Sequence, residues 1–114
     1  MAAFSLGAYG EQLACDFLMG RGYKHLCSNY RTRWGEIDLV MKHRGQVVFV
    51  EVKTRRVGNK ATPNDELSWY KLRRLEAAAE LYCQSHNVFD WRMEVVAITV
   101  DSHASLARIR LIFI

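Results

Sequence analysis

The sequence holds one proline, Pro63, and seven glycines in 114 residues, with no low-complexity run. That composition argues against a long linker or a disordered tail. No internal repeat is found. Long apolar runs are also missing. The longest in the middle of the chain, Val47 to Val50, is far too short to span a bilayer. The first twenty residues contain no Lys or Arg and carry Glu11 and Asp16, so no secretory leader is read there. A cytoplasmic protein with no membrane partner is the expectation. Cys15, Cys27 and Cys83 are odd in number and form no CxxC, so reduced, mostly buried thiols are expected. The four histidines show no ligand spacing, which speaks against zinc.

What is present is apolar mass and an uneven charge. Half of the residues are hydrophobic and 11% are aromatic, enough for a core in one domain spanning 1–114. From Lys53 to Arg74 there are seven basic residues against Asp65 and Glu66, a local +5 where the whole chain carries +4. Such a field suits a polyanion, with Arg55, Arg56, Lys60, Lys71 and Arg74 as the nucleic-acid-binding candidates. The plain alternative is a solvated basic surface.

The apolar periodicity predicts a helix over 5–21, with Leu6, Gly10, Leu13, Ala14, Phe17 and Leu18 on its stripe and Glu11 at the stripe's edge. Strands are predicted over 24–32, 35–43 and 46–53, followed by a basic loop from Thr54 to Ala61. A long helix then opens at Thr62, with Pro63 at its first position and Asp65 closing a T-x-x-D box. Strands over 91–100 and 106–114 end the chain. This order implies an α/β architecture, a central mixed five-stranded sheet with helices packed on it. The third and fourth strands should be parallel, joined by a right-handed crossover through the long helix.

If Arg44 and Gly45 form the tip of the first hairpin, His43 faces Gln46 and the same register sets Asp38 opposite Glu51. Their Cβ atoms would then lie roughly 4.5–5.5 Å apart. Lys53 follows two residues on, on the face of Glu51, and Glu36 shares the face of Asp38. Ile37, Leu39, Val50 and Val52 would occupy the other face. Apposed like charges destabilise a hairpin. A divalent cation resolves the conflict, and Mg²⁺ takes one or two carboxylates with water and phosphate oxygens. Lys53 beside such a centre could orient water and offset negative charge, and Glu11 could reach the metal's water shell. The alternative is that Asp38 pairs with Lys53 while Glu51 faces solvent.

Asp38 and, thirteen positions on, Glu51-Val52-Lys53 resemble the PD-(D/E)xK nuclease signature. The stretches "GAYGEQLACDFLMGRGY", "NYRTRWGEIDLV", "VVFVEVKTRR" and Lys71 followed by "RRLEAAAELY" resemble the YraN-like family of small bacterial proteins, from about Gly7 to Ile98. That family is similar to archaeal Holliday-junction resolvases and other restriction-endonuclease-like proteins. The resemblance implies a three-layer restriction-endonuclease-like sandwich and a Mg²⁺- or Mn²⁺-dependent endonuclease acting on DNA, branched DNA included. It implies Asp38, Glu51 and the Val52 carbonyl as metal ligands and Lys53 as the active-site lysine. Glu11 would be the first-helix acid. Gly35, Glu36 and Lys71 match family positions without a clear role. A homodimer is implied too, since resolvase-like relatives work as symmetric pairs. One departure stands out. Arg92-Met93-Glu94 replaces the family's usual Arg-Phe-Asp, which leaves Glu94 without an assigned role. The rival reading is a non-catalytic nucleic-acid-binding or adaptor module on the same fold.

Overall fold

A computed structural model describes residues 5–58 and 69–113. The elements run α1 (Leu6–Gly20), β1 (Lys24–Thr32), β2 (Gly35–His43), β3 (Gln46–Arg56), α2 (Trp69–His86), β4 (Trp91–Asp101) and β5 (Leu106–Phe113). The five strands form one mixed sheet in chain order. Among the described strands only the β3–β4 pair is parallel, because α2 carries the chain back across the sheet between them. Lys60 and the expected helix start at Thr62, Pro63 and Asp65 lie outside the described residues. Among the described residues, no helix is long and apolar enough to cross a membrane.

Each helix covers one face. Ala14 and Leu18 of α1 pack on Leu39, Met41, Val48, Val50, Val96 and Ile98. Leu75, Ala78, Ala79 and Tyr82 of α2 pack on Ile37, Val40, Val47 and Phe49. Ser5 caps α1, its hydroxyl accepting the Ala8 N–H at 3.2 Å. A Cβ at Gly10 would overlap the Thr54 side chain, so glycine there lets α1 lie directly on β3. The three thiols are free, Cys83 buried and the other two half-buried.

The tip of the β2–β3 hairpin is as expected. Arg44 and Gly45 have φ of 52° and 79°, the left-handed pair that a two-residue turn matching strand twist requires. Facing residues run from His43↔Gln46 to Leu39↔Val50. Three expectations are corrected. The ladder stops at Leu39↔Val50, so Asp38 and Glu51 do not form a paired rung. Ile37 packs under α2, whereas Leu39 packs under α1, so the two do not share a face. Finally, β3 runs through Arg56 where a loop was expected from Thr54, since β4 pairs with it as far as Arg56↔Val100.

The first two corrections have one cause. Asn29, across from Asp38 on β1, adopts φ 54° and both drop out of the β1–β2 ladder. Asn tolerates that conformation better than most residues. The Asp38 carboxylate then accepts the Val52 N–H at 2.8 Å, replacing a main-chain partner. Beyond this point β2 parts from β3.

Candidate functional site

The gap left by that parting is where the acids gather. Asp38 is fixed there by the Val52 N–H. In an extended strand the N–H and C=O of one residue point to the same side. The Val52 carbonyl therefore also turns toward Asp38 and away from β4. Glu51 and Lys53 alternate with the core residues Val50 and Val52, so they face α2. Lys53 Nζ lies 3.0 Å from Glu51 Oε1, and both side chains are about one-fifth exposed.

The electrostatics show how tightly the groups are set. Burial pushes the Asp38 carboxyl up and the neighbouring Glu51 charge adds to it. The Val52 N–H pulls it down, Glu11 raises it again, and the outcome is about 7. A hydrogen bond between the Asp38 and Glu51 carboxyl groups contributes in the same direction. Burial works against the Lys53 ammonium. The hydrogen bond to Glu51, and the charges of Glu51 and Asp38, outweigh it and hold Lys53 above the ordinary lysine value.

Around Glu51 and Lys53 a cleft of about 290 Å³ opens, lined also by Trp34, Glu36, Tyr70, Lys71 and Arg74. Arg74 donates to the Trp34 carbonyl at 2.8 Å, tying α2 to the β1–β2 turn. Glu11 projects from α1 toward Asp38, but Asn29 Nδ2 holds it at 2.9 Å and Glu36 at 2.7 Å. Two acids are thus central and two are tied back. Among the described residues, no group of three or more His, Cys, Asp or Glu converges closely enough to hold a metal ion.

Of the basic candidates, Lys71 and Arg74 line the cleft. Arg55 continues the Glu51–Lys53 face by alternation along β3. Arg56 falls on the opposite face and donates to the Ser102 hydroxyl at 3.2 Å. Glu94 is elsewhere. It is fully buried near the hairpin tip, with Arg92 Nη2 at 2.8 Å and the Tyr23 hydroxyl donating at 2.7 Å. Arg92 also donates to Gln46 and to His43 Nδ1.

The family model of UPF0102, described as an uncharacterised protein family, matches residues 10–98. The chain belongs to the UPF0102 family. A UPF0102 protein of Caldicellulosiruptor bescii is 37% identical over 110 residues, covering 94% of this chain and 92% of its own. One from Roseiflexus castenholzii is 40% identical over 102 residues, covering 87% and 82%. One from Clavibacter michiganensis is 47% identical over 81 residues, covering 71% and 69%. The YraN-like resemblance is thereby established as UPF0102 membership, and the matched span runs from α1 to within β4. Neither the UPF0102 description nor these relatives' names assign an activity.

Sequence reasoning missed Asn29, which both bends β1 and ties Glu11 to Glu36. An Asn inside a predicted strand was the available signal. The exposed rings of Trp34 and Tyr70 at this cleft were missed too, because aromatics in a strand turn and within a predicted helix read as ordinary packing residues.

Proposed function

We propose that this chain is a Mg²⁺- or Mn²⁺-dependent endonuclease with a restriction-endonuclease-like fold, hydrolysing DNA phosphodiesters. One observation carries the reading. Asp38 and Glu51 are held side by side where β2 leaves β3, with Lys53 3.0 Å from Glu51. A sheet gains nothing structural from two neighbouring carboxylates. The donor set fits a small hard cation. Asp38, Glu51 and the Val52 carbonyl are all oxygen ligands, and Mg²⁺ completes its shell with water and phosphate oxygens. That only two acids are central is compatible with this preference.

A bound cation would supply Lewis acidity at the phosphoryl oxygen and an acidified water. The chain's own groups do the rest. Asp38 and Glu51 would hold the cation. The Lys53 ammonium orients the attacking water and offsets charge developing on the phosphate. Lys71 and Arg74 hold the phosphate backbone at the cleft, and Arg55 extends that hold along β3. Glu11, steadied by Asn29, accepts a hydrogen bond from water around the centre.

The adaptor reading is favoured by the lack of a three-ligand cluster among the described residues. A nicking assay with Mn²⁺ on linear and branched DNA separates the two. The parent should cut, and Lys53→Ala should cut at least about 100-fold more slowly while still binding DNA in EDTA. A parent that binds DNA and cuts none of it would make the adaptor reading the better one.

A further inference from the structure

Three aromatic side chains near the cleft are left in water. Trp34 is 44% exposed, Tyr70 65% and Trp69 73%. None belongs to either core cluster. Scattered exposed hydrophobes need no explanation. These are not scattered. They come from the β1–β2 turn and the first described turn of α2, far apart in sequence, and the Arg74–Trp34 hydrogen bond joins the two segments. Trp34 and Tyr70 line the same cleft as Glu51 and Lys53. Each ring also carries a guanidinium. Arg33 lies 5.6 Å from the Trp34 ring centroid, Arg74 5.7 Å from Tyr70, and Arg73 4.9 Å from Trp69.

Exposed rings backed by arginines, beside a groove that also holds Lys71, form a platform for stacking nucleobases while cations track the backbone. A duplex hides the faces of its bases between neighbours. Only unpaired nucleotides can offer them. We infer that the cleft takes a single-stranded segment of nucleic acid, its bases stacked on Trp34 and Tyr70 and its phosphates against Lys71 and Arg74. The inference rests on the nucleic-acid reading of the cleft and adds its substrate class: strands that are unpaired, as at a junction, flap or gap. Trp69, next to Tyr70, extends the platform by one base.

The test is binding without metal, so that cleavage is not needed. Affinity of the full chain is measured for an oligo(dT), for an abasic oligomer of equal length and charge, and for a duplex. The parent should bind oligo(dT) at least about tenfold more tightly than the abasic strand. Trp34→Ala and Tyr70→Ala should each weaken oligo(dT) binding by about 5- to 100-fold and leave abasic binding unchanged. Trp34→Phe should restore most of the loss. Melting temperatures near the parent's show that the exposed substitutions leave the fold intact. Equal parental affinity for oligo(dT) and abasic strands overturns the inference. So does a pair of alanine variants that bind oligo(dT) like the parent but lose a parental self-association, which would make the rings an interface between copies. Stacking without any cleavage would remove the nuclease reading alone. Cleavage of duplex with no response to the bases would remove this one alone.

Discussion

Two acid-bearing regions share this sheet and are treated in opposite ways. Glu94 is fully buried and fully met, by Arg92 at 2.8 Å and the Tyr23 hydroxyl at 2.7 Å. Arg92 is itself braced by Gln46 and His43. Asp38 and Glu51 are only half-buried, yet their conflict is left standing, with Lys53 against Glu51 and Glu11 beyond Asp38. A buried charge that the protein completes is a structural device. Neighbouring carboxylates left unsettled at the edge of a cleft are where the proposed reading would place a cation from outside. The location agrees. The Glu94 network closes the hairpin-tip end of the sheet, and the Asp38–Glu51 pair sits where β2 and β3 part.

The largest expected effect breaks the completed region. Arg92→Met leaves Glu94 buried without its cation, which should cost about 3–5 kcal/mol in urea denaturation. Pairing it with Glu94→Leu should recover much of that loss, since the buried charge goes too. Lys53→Met should cost less than Arg92→Met, about 1–2 kcal/mol, because the Glu51 side chain keeps about one-fifth of its surface in water whereas Glu94 keeps none. If Lys53→Met proves as costly as Arg92→Met, the two regions are alike and the contrast is lost.

A smaller effect sharpens the contrast through pH. The Asp38 carboxyl rises from the ordinary carboxylate range near 4 to about 7 in the fold, through burial first and the Glu51 charge second. Between those values the native state keeps a proton that the unfolded chain has released. Stability therefore falls as pH rises through that window, and it is level in this respect on either side. Without metal the drop should be about 1–2 kcal/mol, because water reaches part of the site and screens it. Asp38→Asn should lose this slope, and above pH 7 it should be more stable than the parent. Urea midpoints of both proteins from pH 4 to 8 measure the difference directly.

Much of this was legible because it is local. Alternation and turn residues placed every described strand, and Arg44-Gly45 set the hairpin register down to Leu39↔Val50. The end of the ladder was not legible. It depends on a side chain, Asp38, taking a backbone donor that alternation assigns to the neighbouring strand. The extension of β3 through Arg56 was hidden too, since its partner β4 lies beyond α2 in the chain. With that extension came the face of Arg56, which points away from Lys53. The Tyr23–Glu94 hydrogen bond, between β4 and the segment that follows α1, leaves no trace in local pattern. The acids and lysine of the candidate site were legible from their types and spacing. Their shared electrostatics depended on the parting of the strands.

The smallest shift expected without metal is the most telling with it. Glu51→Gln removes one of two neighbouring negative charges, which favours the fold. It also takes the ionic partner from Lys53, 3.0 Å away, which disfavours it. Both groups are partly screened, so the two effects should nearly cancel and leave the variant within about 1 kcal/mol of the parent in EDTA. Mg²⁺ then separates the proteins. A ligand stabilises only the state that binds it, by about 1.4 kcal/mol at ten times its Kd. The parent should therefore melt higher with Mg²⁺ than in EDTA. It should also release protons on binding near pH 7, where Asp38 is half-protonated. The Glu51→Gln chain should show neither response, having lost a charge the cation needs. Parallel melts with and without Mg²⁺, beside a titration in weak buffer that follows pH, read both. A parent indifferent to Mg²⁺ in both measurements would mean that Asp38 and Glu51 settle their charge with a shared proton and Lys53, as Glu94 does with Arg92 and Tyr23.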